Sequence, residues 1–65
     1  MLPKLPRLTP QEAEELLLKD GFKLIRSRGS HRIYQKGQKR QVLPFHAGRV
    51  LHPKIVKQIY KVIEE

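Results

Sequence analysis

Phe22-Lys23-Leu24-Ile25-Arg26-Ser27, then Arg28-Gly29-Ser30, then His31-Arg32-Ile33-Tyr34-Gln35-Lys36 decide the fold of this 65-residue chain. The first and third pieces carry the apolar, aromatic and β-branched residues of strands, and the glycine-bearing triplet between them is a turn. They form an antiparallel hairpin. Gly37-Gln38-Lys39-Arg40 supplies a second turn into Gln41-Val42-Leu43-Pro44-Phe45, a third strand. Pro44 has no N–H to give to a ladder, so this strand belongs at a sheet edge or ends there.

Helices flank the three strands. Upstream, Thr9-Pro10-Gln11-Glu12 starts one: Thr9 caps the free N–H groups, Pro10 has the φ of a first helical residue, and Glu12 completes a capping box. Ala13, Leu16 and Leu17 follow on one face, and Gly21 ends the helix after Asp20 in a left-handed conformation. Downstream of a loop from His46 to Leu51, Pro53 opens a second helix with Ile55, Val56, Ile59, Tyr60 and Ile63 on an apolar stripe and Lys54, Lys57 and Lys61 on another face. The expected fold is α+β: an αβββα two-layer sandwich with a three-stranded antiparallel sheet, two helices on one face and the other face open. Residues 1–65 read as one domain, with Met1 to Leu8 an extended arm carrying two prolines.

Charge narrows the partner. Fourteen Lys and Arg stand against six Asp and Glu, a formal +8. The acids are Glu12, Glu14, Glu15 and Asp20 at one end and Glu64 and Glu65 at the other. Only Lys4, Arg7 and Lys19 precede Gly21, so Gly21 to Ile63 holds eleven cations and no acid. This reads as a cationic surface with an acidic cap, which attracts polyanions by charge neutralisation and counterion release. The plain alternative is a surface that only solubilises. There is no cysteine, no Cys/His metal spacing, no signal-peptide stretch and no run of about 20 apolar residues, so the expectation is a cytoplasmic protein without membrane anchorage.

Gly21-Phe22, Arg28-Gly29-Ser30-His31-Arg32-Ile33-Tyr34 and Pro44-Phe45-His46 together resemble the HicA family of mRNA interferase toxins, and the likeness runs from the first helix to the last. The resemblance implies a fold like that of double-stranded-RNA-binding domains, cleavage of mRNA, neutralisation by a HicB-type antitoxin, and a catalytic histidine at the position of His31. One departure stands at the start of the last helix, where relatives carry a Gly-Thr pair and this chain has His52-Pro53-Lys54-Ile55.

The residues constrain how such chemistry can run. RNA brings its own nucleophile, the 2′-hydroxyl, so cleavage needs a base for that proton, cations for the phosphorane and an acid for the 5′-oxygen. An imidazole with an ordinary pKa near 6.5 suits the proton transfers, typically contributing about 10²–10⁴-fold. Arg28, Arg32 and Lys36 are near His31 in sequence and are candidates for the phosphate charge. Two-metal hydrolysis needs carboxylates that Gly21 to Ile63 lacks, so no metal or small-molecule cofactor is expected. A Ser-His-Asp reading of Ser30 and His31 fails because adjacent strand residues point to opposite faces and no acid is at hand.

Each candidate has a plain reading beside it. Without the resemblance, His31 is a solvated hairpin histidine. His46 is a second acid/base or a loop histidine, and His52 a helix-start residue. Gly29 serves a positive φ and lets a phosphate approach, with Ser30 shaping the same turn. Tyr34 and Phe45 stack on bases or pack in the core. Lys54 and Lys57, with Lys61, track phosphates or are a solvated helix face. The expected function is therefore a metal-independent endoribonuclease toxin with RNA and an antitoxin as partners. The rivals are a non-catalytic RNA-binding module of double-stranded-RNA-binding shape and a scaffold that only pairs with an acidic protein.

Overall fold

The computed structural model describes residues 6–46 and 48–65. The elements are α1 (Pro10–Lys19), β1 (Lys23–Arg28), β2 (His31–Lys36), β3 (Lys39–Pro44) and α2 (Pro53–Glu64). The order is αβββα, with the strands antiparallel and β2 in the centre. Of the expected arm, residues 1–5 lie outside the described residues. Leu8, at the end of that stretch, is buried, and its carbonyl accepts the Leu51 N–H at 2.7 Å.

Local chemistry sets the ends of α1. The Thr9 hydroxyl accepts the Glu12 N–H at 3.2 Å while the Glu12 carboxylate accepts the Thr9 N–H at 2.9 Å, with Pro10 at the first helical position. At the other end Gly21 takes φ +105°, its N–H reaches the Leu18 carbonyl and the Phe22 N–H reaches the Leu17 carbonyl. That is a Schellman stop, sealed by apolar contact between its outer and inner residues. Phe22 is thereby drawn into the core, 1% exposed, and β1 begins one residue later than the sequence suggests.

Both hairpins close on two-residue turns whose first central position is a glycine, Gly29 at φ +59° and Gly37 at +60°. No residue other than glycine has positive φ among those described, so the sign pattern is that of a type II′ turn, whose twist matches the strands it joins. The second turn is tighter than expected. Lys39 and Arg40 belong to β3, and Phe45 falls just past it, with its N–H on the Ser30 carbonyl at 2.6 Å. Pro44 ends an edge strand, where its missing N–H is harmless.

Ala13 and Leu17 of α1, Tyr34 of β2, Leu43 of β3 and Val56 and Ile59 of α2 are buried to 1% exposure or less and form one core with Phe22. The expected stripe on α2 is present, with Ile55, Tyr60 and Ile63 partly buried against that core. Both helices cover β2 and β3. They leave β1 bare, and every one of its six residues is exposed.

Candidate nucleic-acid interface

Side chains alternate along a strand, and directly opposed residues on neighbouring strands share a face. Tyr34, opposite Gln41 and two residues from Arg32, marks the helix face because it is fully buried. Its complement is the open face: Lys23, Arg26 and Arg28 on β1, His31, Ile33 and Gln35 on β2, Arg40, Val42 and Pro44 on β3. Four of these nine are Lys or Arg and none is an acid. His31 heads the central strand, exposed, with Arg28 opposite on one side and Pro44 on the other.

A β-bulge between Leu24 and Arg26 assembles this set. Had pairing run regularly from Arg28 opposite His31, Leu24 would face solvent with Arg26, and Lys23 would face the helices. The inserted residue, Ile25, reverses the two, placing Lys23 beside Gln35 and Leu24 beside Tyr34. Lys23, Arg26 and Arg40 were not singled out by sequence. Their period-two spacing was a usable signal for Arg26, whereas nothing in the residues announces the bulge that recruits Lys23.

The candidates named from sequence separate into groups. Arg28 and His31 are brought together, with Gly29 and Ser30 forming the turn between them. Arg32 and Lys36 face the helices instead. Arg32 donates to the Glu14 carboxylate at 3.0 Å and lies over the Phe45 ring, 3.8 Å from its centroid. Lys36 pairs with Asp20 at 3.3 Å. Proximity in sequence to His31 did not translate into a shared face, because odd and even strand positions diverge. The acidic cap is likewise not a separate region, since α1 packs on the sheet and delivers Glu14 and Asp20 to β2 cations. Lys54, Lys57 and Lys61 are exposed on α2, in the layer on the other side of the sheet from His31.

Tyr34 is no stacking platform: it is buried, and its hydroxyl donates to Glu14. Burial first, and the bond to Glu14 second, push its pKa up to about 12. The hydrogen bonds to Tyr34 and Glu14 raise Arg32 above the usual arginine value. Phe45 packs against the core with one ring face under Arg32. Among the described residues no three His, Cys, Asp or Glu side chains cluster as a metal site would require, and no helix is long and apolar enough to cross a membrane.

Next to His31, past Pro44, a cavity of about 250 Å³ opens between the end of β3, the loop and the start of α2. Pro10, Pro44, Leu51 and Ile55 make its walls, and His46, Arg49 and His52 bring polar groups to it. His52 is also the cap of α2, its Nδ1 accepting the Lys54 N–H at 3.0 Å, as a helix-start residue should.

Fold and face together define a small α+β protein with a histidine set in a cationic, acid-free sheet surface. A family model, described as the HicA toxin of bacterial toxin-antitoxin, matches residues 10–64. The chain therefore belongs to the HicA toxin family, and is the toxin of a toxin–antitoxin system, from a family of mRNA-cleaving nucleases. Neither curated proteins nor solved structures give a match.

Proposed function

We propose that this toxin is a metal-independent endoribonuclease that cuts mRNA in the cytoplasm, with His31 as its acid/base. The observation that carries the reading is the position of His31 on the acid-free open face, directly opposite Arg28. His31 takes the proton of a 2′-hydroxyl, whose oxygen bonds to the adjacent phosphorus; the bond from phosphorus to the 5′-oxygen breaks, and a proton is delivered to that oxygen. The products are a cyclic phosphate and a free 5′-hydroxyl. His46 is the proposed source of the second proton.

Arg28 stabilises the phosphorane, a charge that grows along the reaction. Lys23, Arg26 and Arg40 hold the strand by its phosphates, and the side-chain-free Gly29, next to Ser30, lets the backbone come close. Lys54 and Lys57 offer a second, helix-borne phosphate track. Arg32 and Lys36, already neutralised by Glu14 and Asp20, hold α1 to the sheet and contribute less to RNA. A HicB-type antitoxin with acidic side chains is the fitting inhibitor, covering His31 and competing with RNA for the same cations.

The test is incubation of purified protein with RNA in excess EDTA. Cleavage by the wild type, cyclic-phosphate ends, and loss of at least about 10²-fold in His31→Ala are expected. No cleavage with intact binding would make the protein an RNA-binding module instead, and undiminished cleavage by His31→Ala would remove the histidine from the mechanism.

A further inference from the structure

We infer that the cavity beside His31 is a subsite for one unpaired nucleobase of the RNA strand, with Arg49 on the phosphate attached to it. The inference rests on the ribonuclease reading for its substrate and adds where sequence preference comes from. At about 250 Å³ the cavity is smaller than the roughly 300–1,000 Å³ of drug-sized sites. It suits one flat ring system. Pro44, Leu51 and Ile55 offer apolar surface to the faces of such a ring, while Arg49 and His46 stand exposed at the mouth.

Three features select a base rather than any other small apolar group. The first is position. Pro44 is both a wall of the cavity and the cross-strand neighbour of His31, and such neighbours have Cβ atoms about 5 Å apart. A strand with its scissile phosphate at His31 therefore passes the mouth of the cavity with an adjacent nucleotide. The second is polarity. Because His52 Nδ1 accepts the Lys54 N–H, its neutral ring carries its proton on Nε2, so it brings a hydrogen-bond donor to the cavity. Base edges are rich in acceptors that can meet it. The third is charge. Two other hollows on the described surface set Glu12 and Glu15, or Asp20, beside Lys19, and those carboxylates repel a phosphate-bearing strand. This one carries Arg49 and no acid.

The probes are the four nucleoside 5′-monophosphates and ribose 5-phosphate, titrated into the full isotope-labelled chain and followed by amide resonances. None of these can be cut by the proposed reaction, so the readout is separate from activity. Expected are shifts at Arg49, Leu51 and Ile55, binding about tenfold tighter or more for nucleotides than for ribose 5-phosphate, and unequal affinities among the four bases. Val50 is 56% exposed at the same cavity, so Val50→Trp fills it without touching the core. That variant should lose about tenfold in nucleotide affinity, keep its ribose 5-phosphate affinity, and cut RNA with altered base preference.

Equal binding of ribose 5-phosphate and nucleotides, or shifts confined to the open face, would overturn the subsite. So would an unaffected Val50→Trp. RNA cleavage alongside any of those results leaves the ribonuclease reading intact. Nucleotides bound in the cavity by a protein that does not cut RNA leave the subsite standing and remove that reading.

Discussion

Glu14→Ala, taken with Tyr34→Phe, is the sharpest test of how this small fold separates stability from activity. Glu14 accepts from the buried Tyr34 hydroxyl and from Arg32. Removing it leaves the proton of that hydroxyl without an acceptor, at about 1–3 kcal/mol. It also breaks an ion pair whose Arg32 and Glu14 side chains are 34% and 25% exposed, worth about 0–1 kcal/mol. The expected loss is about 2–3 kcal/mol, against a total of roughly 3–10 kcal/mol for a chain of this length. Tyr34→Phe keeps the ring and loses the bond, at about 1 kcal/mol. Once the hydroxyl is gone, Glu14→Ala should cost only the ion pair. The double variant should then be more stable than the sum of the singles by about 1–3 kcal/mol, the cost assigned to the hydroxyl. Urea unfolding followed by far-ultraviolet circular dichroism measures all four proteins. Losses additive to within about 0.5 kcal/mol would refute the shared network. At temperatures where Tyr34→Phe is folded its cleavage rate should match the wild type, because the network lies on the helix face.

Three further outcomes follow from the same geometry. Arg26→Ala, Arg28→Ala and Arg40→Ala should each reduce the slope of log affinity against log salt for single-stranded RNA by about 0.7, whereas Arg32→Ala should lower stability and leave the slope nearly unchanged. Gly29→Ala meets no atom within 4 Å but must hold φ +59°, so the cost is conformational, about 1–2 kcal/mol, and melting should fall by roughly 5–15 °C. A tyrosine that ionises near 10 when unfolded and near 12 when folded stabilises the fold below pH 10, and that contribution disappears as pH rises to 12. The stability gap between wild type and Tyr34→Phe should accordingly be flat to about pH 9 and shrink from there; a gap that widens would refute the buried neutral hydroxyl.

Much of the fold was legible because its signals are local. Thr9, Pro10 and Glu12 make the cap of α1 whatever surrounds them, Gly21 ends it by its own backbone freedom, and Gly29 and Gly37 turn the strands for the same reason. Boundaries slipped where a long-range contact took over. Phe22 left the strand for the core, and Lys39 and Arg40 joined β3 when the turn tightened to two residues. The site was harder to read, since membership depends on which way each strand residue points.

The sequence by itself determined that the protein is cationic from Gly21 to Ile63, that its order is αβββα, and that a histidine follows a glycine turn. These are properties of composition, periodicity and local backbone preference. Only the tertiary structure decided which cations join His31. The bulge at Ile25 brought Lys23 to the open face, and strand alternation sent Arg32 and Lys36 to the other, where α1 supplied Glu14 and Asp20 to neutralise them. It also decided that His46, Arg49 and His52 meet in one cavity beside Pro44. Those residues are joined by no spacing rule, because what gathers them is the packing of a loop between a strand end and a helix start.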